Sequence, residues 1–245
     1  MNNNNEFLLK KEKKIINMFN HISKKYDIIN QILSFGIDSL WRKKAVCLLN
    51  EYTKKYNKKK EKNILDLATG TGDLAILLAN KFTDSTIIGL DPSEEMLKIA
   101  REKIKNNLLK IKIIQGYSQN IPFENERFDI VTIAFGIRNF QYINSSMKEI
   151  HRILKPSGIL EILEFSIPEN FFLKRIYYIY SHFIINKIGN FVSGSNFAYD
   201  YLEKSIKLFY QKNKINDFLK YHKFNIINIQ KLTFGIATIY LSRKK

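Results

Sequence analysis

Apolar residues recur along this chain with two different periods, and the switching between them lays out a fold. Ile15, Met18, Phe19 and Ile22 fall at helical spacing, and Leu40 to Tyr52 carries a second stripe of the same period, which predicts two helices ahead of the core. Asn63 to Leu67 is a short apolar run of the kind a fully buried strand presents, and a glycine-bearing turn leads from it into a helical stretch, Asp73 to Phe82. The pattern repeats with strand Thr86 to Leu90, helix Ser93 to Asn107, strand Ile111 to Gln115, strand Phe128 to Ile133, helix Asn144 to Leu154 and strand Ile159 to Glu164. Strands alternating with helices predict an α/β fold with a mostly parallel, doubly wound sheet. Phe224 to Gln230 and Phe234 to Leu241 are strand-like and closely joined by Lys231-Leu232-Thr233, which predicts a hairpin that puts an antiparallel strand at the end of the sheet.

Between Pro168 and Lys212 the alternation stops, and an aromatic helical pattern replaces it: Phe171, Phe172, Tyr177, Tyr178, Tyr180, Phe183, Phe191, Phe197, Tyr199 and Tyr201. Two readings stand side by side here, helices covering the sheet edge and a hydrophobic lid over a ligand crevice. Ligands of open α/β sheets bind beyond the carboxyl ends of the strands, which is where an insertion following the strand that ends near Glu164 emerges. One domain is expected, in four parts: a helical cap and basic linker (1–62), a nucleotide-binding core (63–167), the aromatic insertion (168–212) and a terminal helix with its hairpin (213–245).

Composition narrows the function classes. The 245 residues, 45% hydrophobic and 13% aromatic, suffice for a full core, which excludes a disordered chain. One cysteine, Cys47, excludes a disulfide scaffold and a cysteine metal cluster, so a reducing compartment is the default. The start, Met1 to Lys14, lacks the apolar run of a signal peptide, and the most apolar later stretch, Ile176 to Asn186, is well short of the roughly 20 residues of a spanning helix. A cytoplasmic protein is expected. The formal charge of +17 invites a polyanion partner, but lysine is abundant almost throughout, which reads as compositional bias. The dense run from Lys54 to Lys62 fits a solvated connector.

The chemistry concentrates in Leu65-Asp66-Leu67-Ala68-Thr69-Gly70-Thr71-Gly72-Asp73. Gly70 and Gly72 stand where the chain turns from strand to helix and a ligand needs close approach to the backbone. Asp91 ends the next strand about 20 residues on, where a carboxylate can accept both hydroxyls of an adenosine ribose; capping the helix start at Pro92-Ser93 is the structural alternative.

With Ile121-Pro122-Phe123, Phe128-Asp129-Ile130-Val131 and the turn Lys155-Pro156-Ser157-Gly158, these elements follow the order of the class I S-adenosylmethionine-dependent methyltransferases, which the chain resembles. Three further segments are similar to one family, the ubiquinone/menaquinone biosynthesis C-methyltransferases: Tyr26 to Arg42, Ala134-Phe135-Gly136-Ile137-Arg138-Asn139 and Leu163-Glu164-Phe165-Ser166-Ile167-Pro168. Leu232 to Ala237 extends the similarity over nearly the whole chain. Asp38 stands where that signature often has histidine, Ser157 replaces a usual glycine, Tyr117 occupies a position where methyltransferases often place Asp or Asn against the adenine, and Ala134 stands where some relatives carry Ser.

The resemblance implies a seven-stranded Rossmann-like sheet and S-adenosylmethionine as methyl donor, held by Tyr26, Gly70, Thr71, Gly72, Asp91, Tyr117, Ser118 and Ala134. It implies a reduced polyprenyl quinone as acceptor, methylated on a ring carbon. An unperturbed phenol ionises near a pH of about 10, so a cation or a base must assist at neutral pH. Arg138 and Asn139, which follow the fourth strand, are expected to bind and polarise the phenolic oxygen, with Asp27 or a water it holds accepting the proton; an ion pair between Arg138 and a carboxylate is the structural alternative. A polyprenyl tail further implies transient contact with the inner face of a membrane, with Lys174, Arg175 and Lys187 beside the tyrosines of the insertion. No metal and no nucleic acid are expected. The menaquinone and ubiquinone branches both remain open, as does another phenol or lipid, and so does the oligomeric state. A catalytically silent scaffold or RNA-binding protein on the same fold is the rival from another class, against which the intact Gly70, Gly72 and Asp91 argue.

Overall fold

The computed structural model describes residues 3–56, 59–172, 175, 201, 205, 206, 209 and 215–245. Helix α1 (Asn3–Leu33) stops where Phe35 and Gly36 take positive φ angles of 51° and 73°, and the Gly36 amide donates back to the Gln31 carbonyl at 2.8 Å. A left-handed residue just beyond the last helical turn is the usual stop, and glycine takes it without a Cβ penalty. Helix α2 (Ile37–Tyr56) buries Trp41, Ala45, Val46 and Leu49 against the sheet and helix α3 (Asp73–Lys81). Of the basic run, Lys54 and Lys55 belong to α2 and Lys62 is buried, while Lys59, Lys60 and Glu61 of the connector are exposed.

The core alternates β1 (Asn63–Leu67), α3, β2 (Thr86–Asp91), α4 (Glu94–Asn106), β3 (Ile111–Gln115), β4 (Phe128–Ala134), α5 (Ile143–Ile153) and β5 (Leu154–Phe165), and closes with α6 (Ile215–Tyr221), β6 (Phe224–Leu232) and β7 (Ala237–Lys244). One seven-stranded sheet results, in the order β3-β2-β1-β4-β5-β7-β6. β1 to β5 are parallel, and β1, β2, β4 and the later part of β5 are buried on both faces, which explains why they read as apolar runs and not as alternating strands; β3, at the edge, is partly exposed. Strand order reverses between β1 and β4, and a crevice opens beyond their carboxyl ends, at the switch point.

Most elements end within a few residues of the bounds read from the sequence, and the larger differences fall in the last three strands. β5 starts at Leu154, because the chain remains extended through a turn at Ser157, whose φ is 62°. The final strand starts at Ala237 and not at Phe234: Thr233 and Phe234 have φ of 42° and 58° in a one-turn 3-10 segment, which reverses the chain between the paired Leu232 and Ala237. The antiparallel strand is β7, one in from the edge between β5 and β6, so the hairpin closes inward and leaves β6 outermost.

Most of the aromatic insertion, including Tyr177, Tyr178, Tyr180, Phe183, Phe191, Phe197, Tyr199 and the basic Lys174 and Lys187, lies outside the described residues. Tyr201 is described and packs with Phe19 and Ile22 against Met18 and Ile29 of α1. Among the described residues no helix is long and apolar enough to cross a membrane.

Candidate functional site

The turn after β1 is built around a buried carboxylate. Asp66 accepts the Thr69 hydroxyl at 2.6 Å and the Thr132 hydroxyl at 3.0 Å, which ties the end of β1 to its own loop and to β4. Burial outweighs those hydroxyls and lifts the Asp66 carboxyl to about 6, with Asp91 adding to the rise. Above it Ala68, Gly70 and Gly72 take φ of 58°, 56° and 85°. A Cβ on Gly136 would stand 2.6 Å from that of Ala68, so the loops after β1 and β4 touch where the strand order reverses. Ala68 and Phe135, at φ 58° each, carry the strain of these two sharp exits.

Asp91 closes β2 with its side chain turned back to the turn. Its Oδ2 accepts the Gly70 amide at 3.0 Å and its Oδ1 the Ser93 amide at 2.8 Å. A carboxylate has about four lone-pair sites, so each oxygen retains capacity for one more donor. Burial raises this carboxyl to about 6 against the pull of the two amides. The helix-capping alternative coexists with the ligand reading: Ser93 caps α4 by accepting the Met96 amide, while Asp91 braces Ser93.

These groups face a crevice that opens to solvent at the carboxyl ends of the strands, the place where open α/β sheets take ligands. On the strand side it is lined by Gly70, Asp91, Ala134 and Asn139, and from the connection after β3 come Tyr117 and Ser118. Helix α1 supplies Glu12, Ile15, Ile16, Phe19 and Tyr26. Tyr117 is half exposed, and the Ser118 hydroxyl is already held by Ser146 at 2.8 Å, which leaves the Tyr117 ring as the more available contact. Gly70 has open space where a Cβ would stand, as a close ligand requires.

Thr71, Gly72, Asp27 and Arg138 are not among the lining residues. Gly72 packs on Ala100 at the start of α3. Thr71 donates its hydroxyl to Asp27 Oδ1 at 2.6 Å, and Lys103 reaches Asp27 Oδ2 at 2.5 Å and Asp73 at 2.6 Å. Asp27 is thus a latch holding α1 to the glycine turn and α4. Arg138 forms a buried ion pair with Glu164 at 2.6 Å, accepts a place over the Phe165 ring at 5.2 Å and donates to the Phe135 carbonyl at 2.5 Å. Its guanidinium faces Glu164, as the ion-pair alternative has it; neither Arg138, expected on the phenolic oxygen, nor Asp27, expected as proton acceptor, is among the lining residues. Asn139, one residue on, does line the cavity.

The sequence matches the model of the ubiE/COQ5 methyltransferase family over residues 8–244. The chain belongs to this family. It is 38% identical over 237 residues to a demethylmenaquinone methyltransferase of Bacteroides fragilis, covering 96% of this chain and 94% of the relative. To the ubiquinone/menaquinone biosynthesis C-methyltransferase UbiE of Wigglesworthia glossinidia brevipalpis it is 39% identical over 234 residues, 94% of this chain and 91% of that one. Among solved structures it resembles a SAM-dependent methyltransferase from Aquifex aeolicus with a TM-score of 0.58 at 16% identity, over 80% of this chain and 88% of that chain, a likeness that speaks to fold.

For a ubiE/COQ5 methyltransferase the arrangement separates into two halves. The strand-end half has a glycine open to close approach and a carboxylate with spare acceptor capacity, which fits a nucleoside-bearing cofactor. The α1 half is apolar and aromatic. Sequence reasoning missed how much α1 contributes. Asn20 accepts the Ser93 hydroxyl at 2.6 Å, and Gln119 donates to Glu12 at 2.8 Å, so α1 is tied by polar side chains along the whole cavity wall. The apolar stripe revealed that helix; nothing in it named the partners.

Proposed function

We propose that this methyltransferase transfers the methyl group of S-adenosylmethionine to a ring carbon of a reduced polyprenyl quinone precursor, demethylmenaquinol in the first instance. One observation carries the reading: a single crevice is lined both by Gly70 and Asp91, which suit a nucleoside, and by the apolar Ile15, Ile16, Phe19, Phe135 and Phe140, with Asn139 in the same lining. The names of the relatives support the same acceptor class. When bound, the cofactor supplies an electrophilic methyl carbon on a sulfonium.

The chain's own residues then bind, orient and exclude water. Asp91 accepts the ribose hydroxyls with its free lone pairs, Gly70 admits the nucleoside close to the backbone, and Tyr26 and Tyr117 flank it from either side. Asn139 binds the phenolic oxygen. Arg138 acts one step back from the acceptor: paired with Glu164 and bonded to the Phe135 carbonyl, it pins the turn that presents Asn139. Asp27 holds α1 in place instead of serving as proton acceptor, because it lies outside the cavity lining, tied to Thr71 and Lys103. The chain is read as one methyltransferase domain with 1–62 as cap and 168–212 as insertion. Its work falls at the inner face of a membrane, which the exposed Phe171, Phe172 and Phe234 near the carboxyl end of β5 support.

The test is transfer of labelled methyl to a short-tailed demethylmenaquinol and, in parallel, to the matching benzoquinol under reducing conditions. Label in the naphthoquinol product supports the reading, label in the benzoquinol alone moves it to the ubiquinone branch, and label in neither refutes the acceptor class. Sedimentation with anionic vesicles tests the membrane contact, and absence of lipid-dependent pelleting overturns it.

A further inference from the structure

Asn139 is held on every side but one. Its amide donates to the Gly136 carbonyl at 3.0 Å, and its carbonyl accepts from Gln141 Nε2 at 3.1 Å. Its side-chain Oδ1 accepts the Tyr201 hydroxyl at 3.0 Å. Nδ2 is the remaining polar atom, with no hydrogen-bond partner among the described residues, and the residue lines the cavity. A carboxamide has two faces that differ only by a flip, one accepting and one donating. Bonded to the Tyr201 hydroxyl at its Oδ1 end, the carboxamide leaves its Nδ2 end to the cavity.

We infer that Tyr201 is a positioning residue: its hydroxyl fixes the Asn139 carboxamide so that Nδ2 donates a hydrogen bond into the cavity, towards the oxygen of the methyl acceptor. The inference rests on the proposed phenolic acceptor and adds a residue from beyond β5 to that site. Tyr201 is placed for the task by its ring, which packs with Phe19 and Ile22 against Met18 and Ile29 of α1. Burial pushes its hydroxyl up to about 12, against the pull of Arg138 and with the help of Glu164, so it remains a donor throughout the working pH range. An acceptor oxygen that gains negative charge as its ring attacks is stabilised by a fixed donor, whereas a flipped amide would present an oxygen to it and repel it.

Tyr201→Phe keeps the ring packing and removes only the hydroxyl. The expected result is a fall in kcat of about tenfold, the scale of one oriented hydrogen bond, with cofactor affinity unchanged within about twofold. In an Asn139→Ala background the same substitution should cost less than about twofold, because the two residues act as one unit. Losses that add independently, or a Tyr201→Phe enzyme as fast as the wild type, overturn the inference. A second readout stands apart from turnover. With 15N-asparagine labelling, the Asn139 side-chain NH2 signal, identified by its loss in Asn139→Ala, should shift or broaden in Tyr201→Phe in the resting protein. An unmoved signal overturns the positioning role; a moved signal in a protein that methylates no phenol sustains the contact and rejects the acceptor.

Discussion

Replacing Asp91 with asparagine tests the nucleoside wall with the smallest change of shape. The carboxylate now satisfies two backbone donors, Gly70 at 3.0 Å and Ser93 at 2.8 Å, and offers its remaining lone pairs to a ligand. An asparagine has one oxygen, so its NH2 must face either one of those amides or a ribose hydroxyl it cannot replace as acceptor. Hydrogen bonds to a charged group contribute about 1.5–3 kcal/mol each; losing the charge and one acceptor costs about 3 kcal/mol, or roughly 100-fold in affinity. The carboxyl titrates near 6 in the folded protein because burial raises it. Below that value the wild type should lose about tenfold in affinity per pH unit, while the variant should be nearly flat. Calorimetry with S-adenosylhomocysteine at pH 5, 6, 7 and 8 reads both. Asp66, also raised to about 6, is retained in the variant. A pH slope that survives Asp91→Asn would belong to Asp66 and would refute the assignment, as would a variant that binds as tightly as the wild type.

Glu161 is fully buried in β5 with neither oxygen partnered among the described residues, and burial together with Asp66 raises it well above its ordinary value. A raised carboxyl stabilises the fold below its unfolded value near 4.5 and loses that contribution as pH climbs toward the folded value. Glu161→Leu should therefore gain about 1–3 kcal/mol over the wild type at pH 7 and a smaller margin at pH 4, read by urea denaturation; an equal margin at both would contradict the titration. Gly136→Ala places a Cβ 2.6 Å from that of Ala68, and should cost about 1–3 kcal/mol in the same assay, an unchanged midpoint showing that the two loops yield freely. Arg138→Ala strands the buried Glu164, so a loss of about 3–5 kcal/mol is expected, recovered in good part by Arg138→Met with Glu164→Leu; a double variant no more stable than the single one would sink the ion-pair account.

The strands were legible as short, mostly apolar runs, whether buried on both faces as β1 is or partly exposed at the edge as β3 is. Asn63–Leu67 and Ile111–Gln115 appear with the boundaries read from the sequence, since a polar connector, a glycine turn or a helix break bounds each run. Phe234 misled because alternation records which side chains are apolar and not the sign of φ, and a ring at φ 58° looks no different in sequence from one in a strand. At the candidate site, the places of Gly70 and Asp91 were readable since both are local: a turn, and the end of the neighbouring strand. Arg138 was not, because its partner Glu164 becomes a neighbour only once β4 and β5 lie side by side with Ala134 opposite Leu163. Asp27 likewise depends on where α1 docks, which hangs on Lys103 and Thr71 from two other elements. Glu161 did carry a signal, a lone charge inside an apolar run, and that signal went unused.

Helix α1 walls the cavity, and besides burying Ile15, Met18 and Ile29 it is fastened to the core by side-chain polar ties: Glu12 to Gln119, Asn20 to Ser93, and Asp27 to Thr71 and Lys103. Such ties break one at a time, with water replacing each partner, so the helix can lift away without disturbing the sheet beneath. The residence time of a bound nucleoside is then coupled to the opening rate of this helix. Strengthening the ties would lengthen residence and, once departure of the spent cofactor limits the cycle, slow turnover by the same factor. The strength of these fastenings is therefore a compromise between holding the cofactor and letting it go.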